Sequence, residues 1–188
     1  MNIRAKSEKG FSLIELLVVV AIIGVLAAVG VVGYQGYIDS TKKSVTDANA
    51  KAVHQWLVNT KTVRAAGIDV DPNECSSGNL SRTEAAADAV AAGACFQELG
   101  AEGGPFESFK NPYDNSRTGA TTIRPVDSTA AVADDGSTAC TTLDADAEDG
   151  DILVRVSGTV AHLDVYFCSK VGDNNGRLTK RDTTITNF

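Results

Sequence analysis

The chain has 188 residues, with 17 Lys and Arg against 24 Asp and Glu, and carries a net charge of −7 near pH 7. That length suits one anchored domain and is short for two soluble ones. An acidic chain of this kind lacks the clustered cations that nucleic-acid binding needs, so no specific nucleic-acid partner is expected.

The first ten residues form a short basic segment, with Arg4, Lys6 and Lys9 against Glu8, ending at Gly10. A positive flank holds that end on the cytoplasmic side of a membrane. Phe11, Ser12, Leu13 and Ile14 follow, then Glu15, and Leu16 through Ile38 are 23 consecutive residues without a formal charge. About 20 mostly apolar residues are enough to cross a bilayer as a helix. A carboxylate at the head of such a run costs on the order of 2.5–3.5 kcal/mol on insertion scales, which marks Glu15 as a functional residue. An ordinary secretory signal loses its apolar stretch on cleavage, whereas a cut after Gly10 keeps it.

The run Lys9-Gly10-Phe11-Ser12-Leu13-Ile14-Glu15-Leu16 resembles the processing site of type IV prepilins and the related pseudopilins. The resemblance implies that a prepilin peptidase cuts between Gly10 and Phe11 and methylates the new Phe11 amine. It implies an α+β fold in which one long N-terminal helix packs on a small antiparallel β-sheet. It also implies a homopolymer, a helical filament raised out of the inner membrane by the pilus assembly machinery. Residues 1–10 are then the leader, 11–38 the transmembrane and filament-core helix, and 39–188 the exported domain. Taking Arg4, Lys6 and Lys9 from the 17 basic residues and Glu8 from the 24 acidic ones leaves 14 and 23, a mature charge of −9.

An ammonium on Phe11 is as costly in lipid as the Glu15 carboxylate. If the Phe11 amine of one subunit meets Glu15 of a neighbour, both are compensated only in axial register. An intramolecular pair, or a Glu15 side chain reaching to the lipid headgroups, is the alternative. The expected function is a structural subunit of a type IV pilus, held in the inner membrane by lipid before assembly and extracellular after it. The alternatives are a type II secretion pseudopilin, or a minor pilin acting as a membrane-anchored binding module. No cofactor is expected, and no enzyme: the chain has no Gly-x-Ser-x-Gly, no His-Glu-x-x-His, no phosphate-binding glycine loop and only two histidines.

Along the chain, Gly24, Gly30, Gly33 and Gly36 are packing notches in the apolar helix, and Val32 stands where many members of that family carry proline. Tyr34 and Tyr37 suit a membrane interface. The helix is expected to run on past Lys42 to Ala66, with no proline before Pro72, and to stop at Gly67. Val45, Ala48, Ala52 and Trp56 are spaced three and four apart, and this stripe is expected to face the sheet. Residues 68–120 read as an irregular connector, with Ser81 and Glu84 boxing the start of a short Ala-rich helix. Asn111-Pro112-Tyr113-Asp114 is a turn, and a similar Asn-Pro-Tyr occurs in major pseudopilins of type II secretion.

Strands are expected from Thr121 to Val126, at an edge because of Pro125, then through Ile152, Val154 and Val156. A turn at Ser157-Gly158 leads back through Val160 to Phe167, with Leu163, Val165 and Phe167 on one face, and Leu178 to Ile185 adds a last strand. Cys75, Cys95, Cys140 and Cys168 all follow the apolar run, and an even number on the exported side reads as two disulfides. Three connectivities are open; Cys75–Cys95 with Cys140–Cys168 closes neighbouring loops, and the second resembles the C-terminal disulfide loop of many type IV pilins. The acidic run Asp144 to Asp151 does not follow the EF-hand order, since Arg155 stands at position twelve. Asp173 and Asn175, ahead of Gly176, read either as a turn or as calcium ligands, because major pseudopilins hold calcium near the C-terminus.

Overall fold

The computed structural model describes residues 10–67, 99–100, 104–127, 130–133, 136–157, 162–171 and 174–186. The chain divides into two compact units, Met1–Ser40 and Thr41–Phe188. One helix, α1 (Leu13–Ala65), begins in the first and ends in the second. It stops where Gly67 takes a positive φ of 76°, a left-handed turn that glycine adopts without strain.

The second unit adds α2 (Gly119–Thr122), β1 (Ile123–Asp127), a 3₁₀ turn at Cys140–Thr142, β2 (Ile152–Ser157), β3 (His162–Val171) and β4 (Asn174–Ile185). The strands lie in chain order β1-β2-β3-β4. β2 and β3 are antiparallel, with Val154 opposite Val165, and β3 and β4 are antiparallel, with Phe167 opposite Thr179. β1 runs parallel to β2, Ile123 beside Ile152, so the sheet is mixed where an all-antiparallel one was expected. Residues 128–151 supply the reason: a parallel pair needs a connection of a dozen residues or more, and this segment is long enough to return the chain to the starting end. Pro125 sits in β1, an edge strand, where its missing N–H costs no ladder bond on the open side.

Strand alternation sends Ile152, Val154, Leu163, Val165 and Phe167 to one face, where they pack with Ala50, Val53 and Leu57 of α1. Here the sequence expectation is corrected. The stripe that α1 buries is Thr46, Ala50, Val53, His54, Leu57 and Thr60, while Val45 is 42% exposed and Ala48 faces solvent. Ala52 and Trp56 lie only half-buried at the margin of the core. The helix can bury Thr46 because its hydroxyl donates to the Lys42 carbonyl at 3.0 Å, so no polar group is stranded. Arg181 of β4 clamps the same surface, its guanidinium 3.3 Å from the Asp47 carboxylate.

The opposite face of the sheet is covered as well. Val126, Leu153, Tyr166, Cys168 and Leu178 pack against Cys140, Leu143 and Ala147 from the crossover. A disulfide joins Cys140 to Cys168, and Arg124 grips Asp144 through two nitrogens at 2.6 and 2.9 Å. Cys75 and Cys95 lie outside the described residues, as do Asp173 and the Ser81–Glu84 segment.

Candidate functional site: the amino-terminal segment

Gly10 and Phe11 precede the first helical turn, and Phe11 is 89% exposed. Leu13, Ile14, Leu17, Val25, Val29 and Val32 are all exposed, as are Tyr34 and Tyr37. An added Cβ at Gly24, Gly30, Gly33 or Gly36 would meet nothing within 4 Å. The most apolar 18-residue stretch of the helix has a mean hydropathy of 3.0 and none of it is buried. A helix apolar on every side satisfies its backbone internally and suits a hydrocarbon surrounding.

The helix start is built by two residues. The Ser12 N–H donates to Glu15 Oε2 at 2.8 Å, and the Glu15 N–H reaches Ser12 Oγ at 3.4 Å. Leu16 N–H donates to the Ser12 carbonyl at 3.3 Å and opens the helical ladder. This is a capping box, in which a Ser and a Glu three residues later satisfy each other's backbone donors. The Glu15 carboxylate also stands in the first turn, where the helix dipole favours negative charge.

A family model described as the prokaryotic N-terminal methylation motif matches residues 5–31. The chain carries a prepilin signal of the type IV pilin and pseudopilin kind. The match takes in Lys6, Lys9, the Gly10–Phe11 bond, Glu15 and the first part of the apolar run. No curated protein and no solved structure matches the chain. The prepilin signal marks a pilin-like or pseudopilin subunit, a structural class that is usually without enzymatic activity, and it implies processing by a prepilin peptidase and assembly into a pilus or pseudopilus. The apolar helix accords with membrane anchoring before assembly.

A second cluster lies in the Thr41–Phe188 unit, around the Asn111 turn. The Asn111 side chain is fully buried, and its Nδ2 donates to the Asp149 carbonyl at 2.9 Å and to Asp151 Oδ1 at 3.1 Å. Its Oδ1 accepts from the Tyr113 and Asp114 amides at 2.8 and 3.2 Å. Asp151 is itself buried, and its Oδ2 accepts from the Glu148 amide at 3.0 Å and faces Arg117 at 3.1 Å. Arg117 also meets Glu148 at 2.8 Å. Burial pushes the Asp151 carboxyl up from 3.8 to about 6, against the lowering pull of the Glu148 amide, Arg117, Arg124 and Asn111.

Burial also raises Asp144, but the Arg124 guanidinium more than reverses that and leaves its carboxyl below the ordinary value. The Ser116 hydroxyl and amide hold exposed Asp114 low. Beside this network a groove of about 410 Å³ is lined by Tyr113, Asp114, Thr141, Glu148, Asp149 and Gly176.

Among the described residues no three His, Cys, Asp or Glu side chains converge on a metal position. Asn175 is placed only through the backbone of β4. Two partnerships went unread in the sequence. The Ser12–Glu15 box was legible as Ser-x-x-Glu ahead of an apolar run. The Asn111–Asp151–Arg117 cluster left no local signal, because its members are as much as 40 residues apart.

Proposed function

We propose that this chain is the structural subunit of a type IV pilus. It is inserted in the inner membrane with its basic leader in the cytoplasm, cut between Gly10 and Phe11, methylated on Phe11 and polymerised into an extracellular filament. Residues 1–10 are the leader, 11–38 pass from lipid into the filament core, and 39–188 form the exported domain. The observation that supports this reading is an apolar helix exposed on all sides, headed by the matched methylation motif. Moving such a helix from lipid into a bundle of like helices keeps it out of water throughout. In the filament the Phe11 amine of one subunit pairs with Glu15 of its neighbour and sets axial register. Adhesion, motility or uptake would follow from the filament surface.

Fibres sheared from cells should consist mainly of this chain, with a methylated Phe11 as first residue by mass spectrometry. Material that begins at Met1 would overturn the reading. Glu15→Ala should leave cleavage intact and reduce surface fibres at least tenfold, since an unpaired ammonium is left in the apolar core. Abundant normal fibres from that variant would count against the pair. The second reading, a type II secretion pseudopilin, is favoured by the Asn111-Pro112-Tyr113 turn, whose Asn111 side chain is buried. Loss of enzyme export on deletion, without loss of surface fibres, would select it. A sparse protein confined to fibre tips would instead be a minor pilin.

A further inference from the structure

We propose that Asn175–Gly176 is a self-modification site: the Gly176 nitrogen closes on the Asn175 side-chain carboxamide, with Asp149 as the base, and water opens the resulting succinimide. The reaction belongs to the folded Thr41–Phe188 unit and does not depend on the filament reading.

Asn-Gly occurs once in the chain, at 175–176. The pair stands at an irregularity of β4: Ser169 faces Arg177 and Val171 faces Asn174, which leaves Asn175 and Gly176 opposite Lys170 alone. Such a bulge interrupts the regular ladder. Gly176 has a φ of 61°, and it presents no side chain to hinder attack by its own nitrogen. Its N–H donates to Asp149 Oδ1 at 2.7 Å. Nucleophile and base are therefore already within hydrogen-bond reach. Asp149 is held in turn: its carbonyl accepts from Asn111 Nδ2 at 2.9 Å, and the next amide, Gly150, donates to the Cys168 carbonyl at 2.8 Å.

Gly176 N bonds to the carboxamide carbon of Asn175, and its proton passes to the Asp149 carboxylate. The carboxamide C–N bond breaks, and its nitrogen leaves as ammonia with that proton. Water then opens the ring at either carbonyl, giving aspartate or isoaspartate at position 175. The attack is intramolecular, so orientation replaces collision. Each product adds a negative charge beside the Gly176–Asp149 bond, and isoaspartate also lengthens the β4 backbone by one carbon. Both changes weaken the tie between β4 and the segment that carries Asp149. Neither restores the amide, so the chain carries a record of its age.

The test holds the full-length chain in detergent micelles near neutral pH and follows the tryptic peptide 171–177 by mass spectrometry. Conversion shows as the mass of aspartate in place of asparagine, assigned to position 175 by fragmentation, with the two isomers separated by chromatography. Folded wild-type chain should convert at least about tenfold faster than the same chain unfolded in urea, and Asp149→Ser should lose that advantage. A serine there can accept the N–H but cannot hold its proton. Folded conversion equal to or slower than that in urea overturns the proposal, because the Gly176 N–H is then shielded rather than activated. Faster folded conversion that survives Asp149→Ser overturns it as well, since the base then lies elsewhere. Should Asp149→Ser not fold, the comparison of folded and unfolded wild type still decides.

Discussion

Asp151 shows how a single buried carboxyl writes itself into the pH dependence of the fold. Its folded value lies near 6, above the 3.8 it has when exposed, so between those values the folded chain keeps a proton that the unfolded chain releases. The stabilisation attached to Asp151 is therefore complete below about pH 4 and lost as pH rises through about 6. Asp144 acts in the opposite sense. Its value is lowered, so its contribution is present above its unfolded value and disappears as acid drives the folded pKa. Urea unfolding from pH 4 to 7 should show stability falling on the alkaline side for wild type, and Asp151→Asn should flatten that slope. A wild-type profile that is level across this window would show that Arg117 and the Asn111 amide fully offset the burial.

Gly150 belongs to the same scale. Its φ is 93°, and a Cβ built there would lie 2.0 Å from the Asn111 oxygen. Gly150→Ala meets both backbone strain and a clash with a side chain whose every donor and acceptor is engaged. It should cost about 2–3 kcal/mol in chemical unfolding. None of this was legible in the sequence, where Asn111-Pro112-Tyr113 reads as ordinary turn chemistry. What turns it into a staple is the return of residues 148–151, brought there by the strand order.

At the scale of elements, α1 teaches the limit of periodicity. A run in which Val45, Ala48, Ala50, Ala52, Val53, Trp56, Leu57 and Val58 are all apolar offers several stripes of equal quality. The sheet, not the helix, decides among them. It accepts Thr46 because a threonine in a helix can return its hydroxyl to a carbonyl one turn back, and it leaves Val45 outside. Leu57→Ala should destabilise the folded chain by about 2–5 kcal/mol, whereas Val45→Ala should change it by about 0.5 kcal/mol or less. Equal losses in thermal unfolding would mean that the buried stripe has been misassigned. The strands were easier to read, since Leu163, Val165 and Phe167 alternate cleanly and a strand has only two faces from which to choose. The parallel pairing of β1 was not readable, because nothing local distinguishes a strand that returns by a crossover from one that closes a hairpin.

For the whole molecule, the Thr41–Phe188 unit is layered as helix, sheet and crossover, so both faces of a four-stranded sheet are covered. The disulfide ties the crossover to the central strand β3, closing a loop with a sequence separation of 28. In the chain-entropy account a loop of that size is worth roughly 3–4 kcal/mol. Cys140→Ser should remove about that much and leave the apolar helix unaffected, as read by thermal unfolding followed at Trp56. A loss under about 1 kcal/mol would mean that the packing of Leu143 and Ala147 holds the crossover without the bond. The methylation motif and the apolar helix, by contrast, were legible, because they depend on residues contiguous in sequence and on the composition of one helix. The cluster around Asp151 depends on two distant segments, 111–117 and 148–151, meeting.

Both borders of the sheet are blunted. β1 is short and contains Pro125, which has no amide hydrogen to offer. Along β4, the segment ending at Ala139 already occupies part of the rim, with Ala139 bridged to Arg177 and the Leu178 amide donating to Thr138. Lys180 and Arg181 stand just beyond. In the filament proposed above, copies of the chain would be crowded together, and a sheet edge open along its whole length would invite strand-to-strand pairing of the kind amyloid shows. Each of these blunted stretches lowers that risk, and in that reading growth of the fibre would rest on the apolar helices.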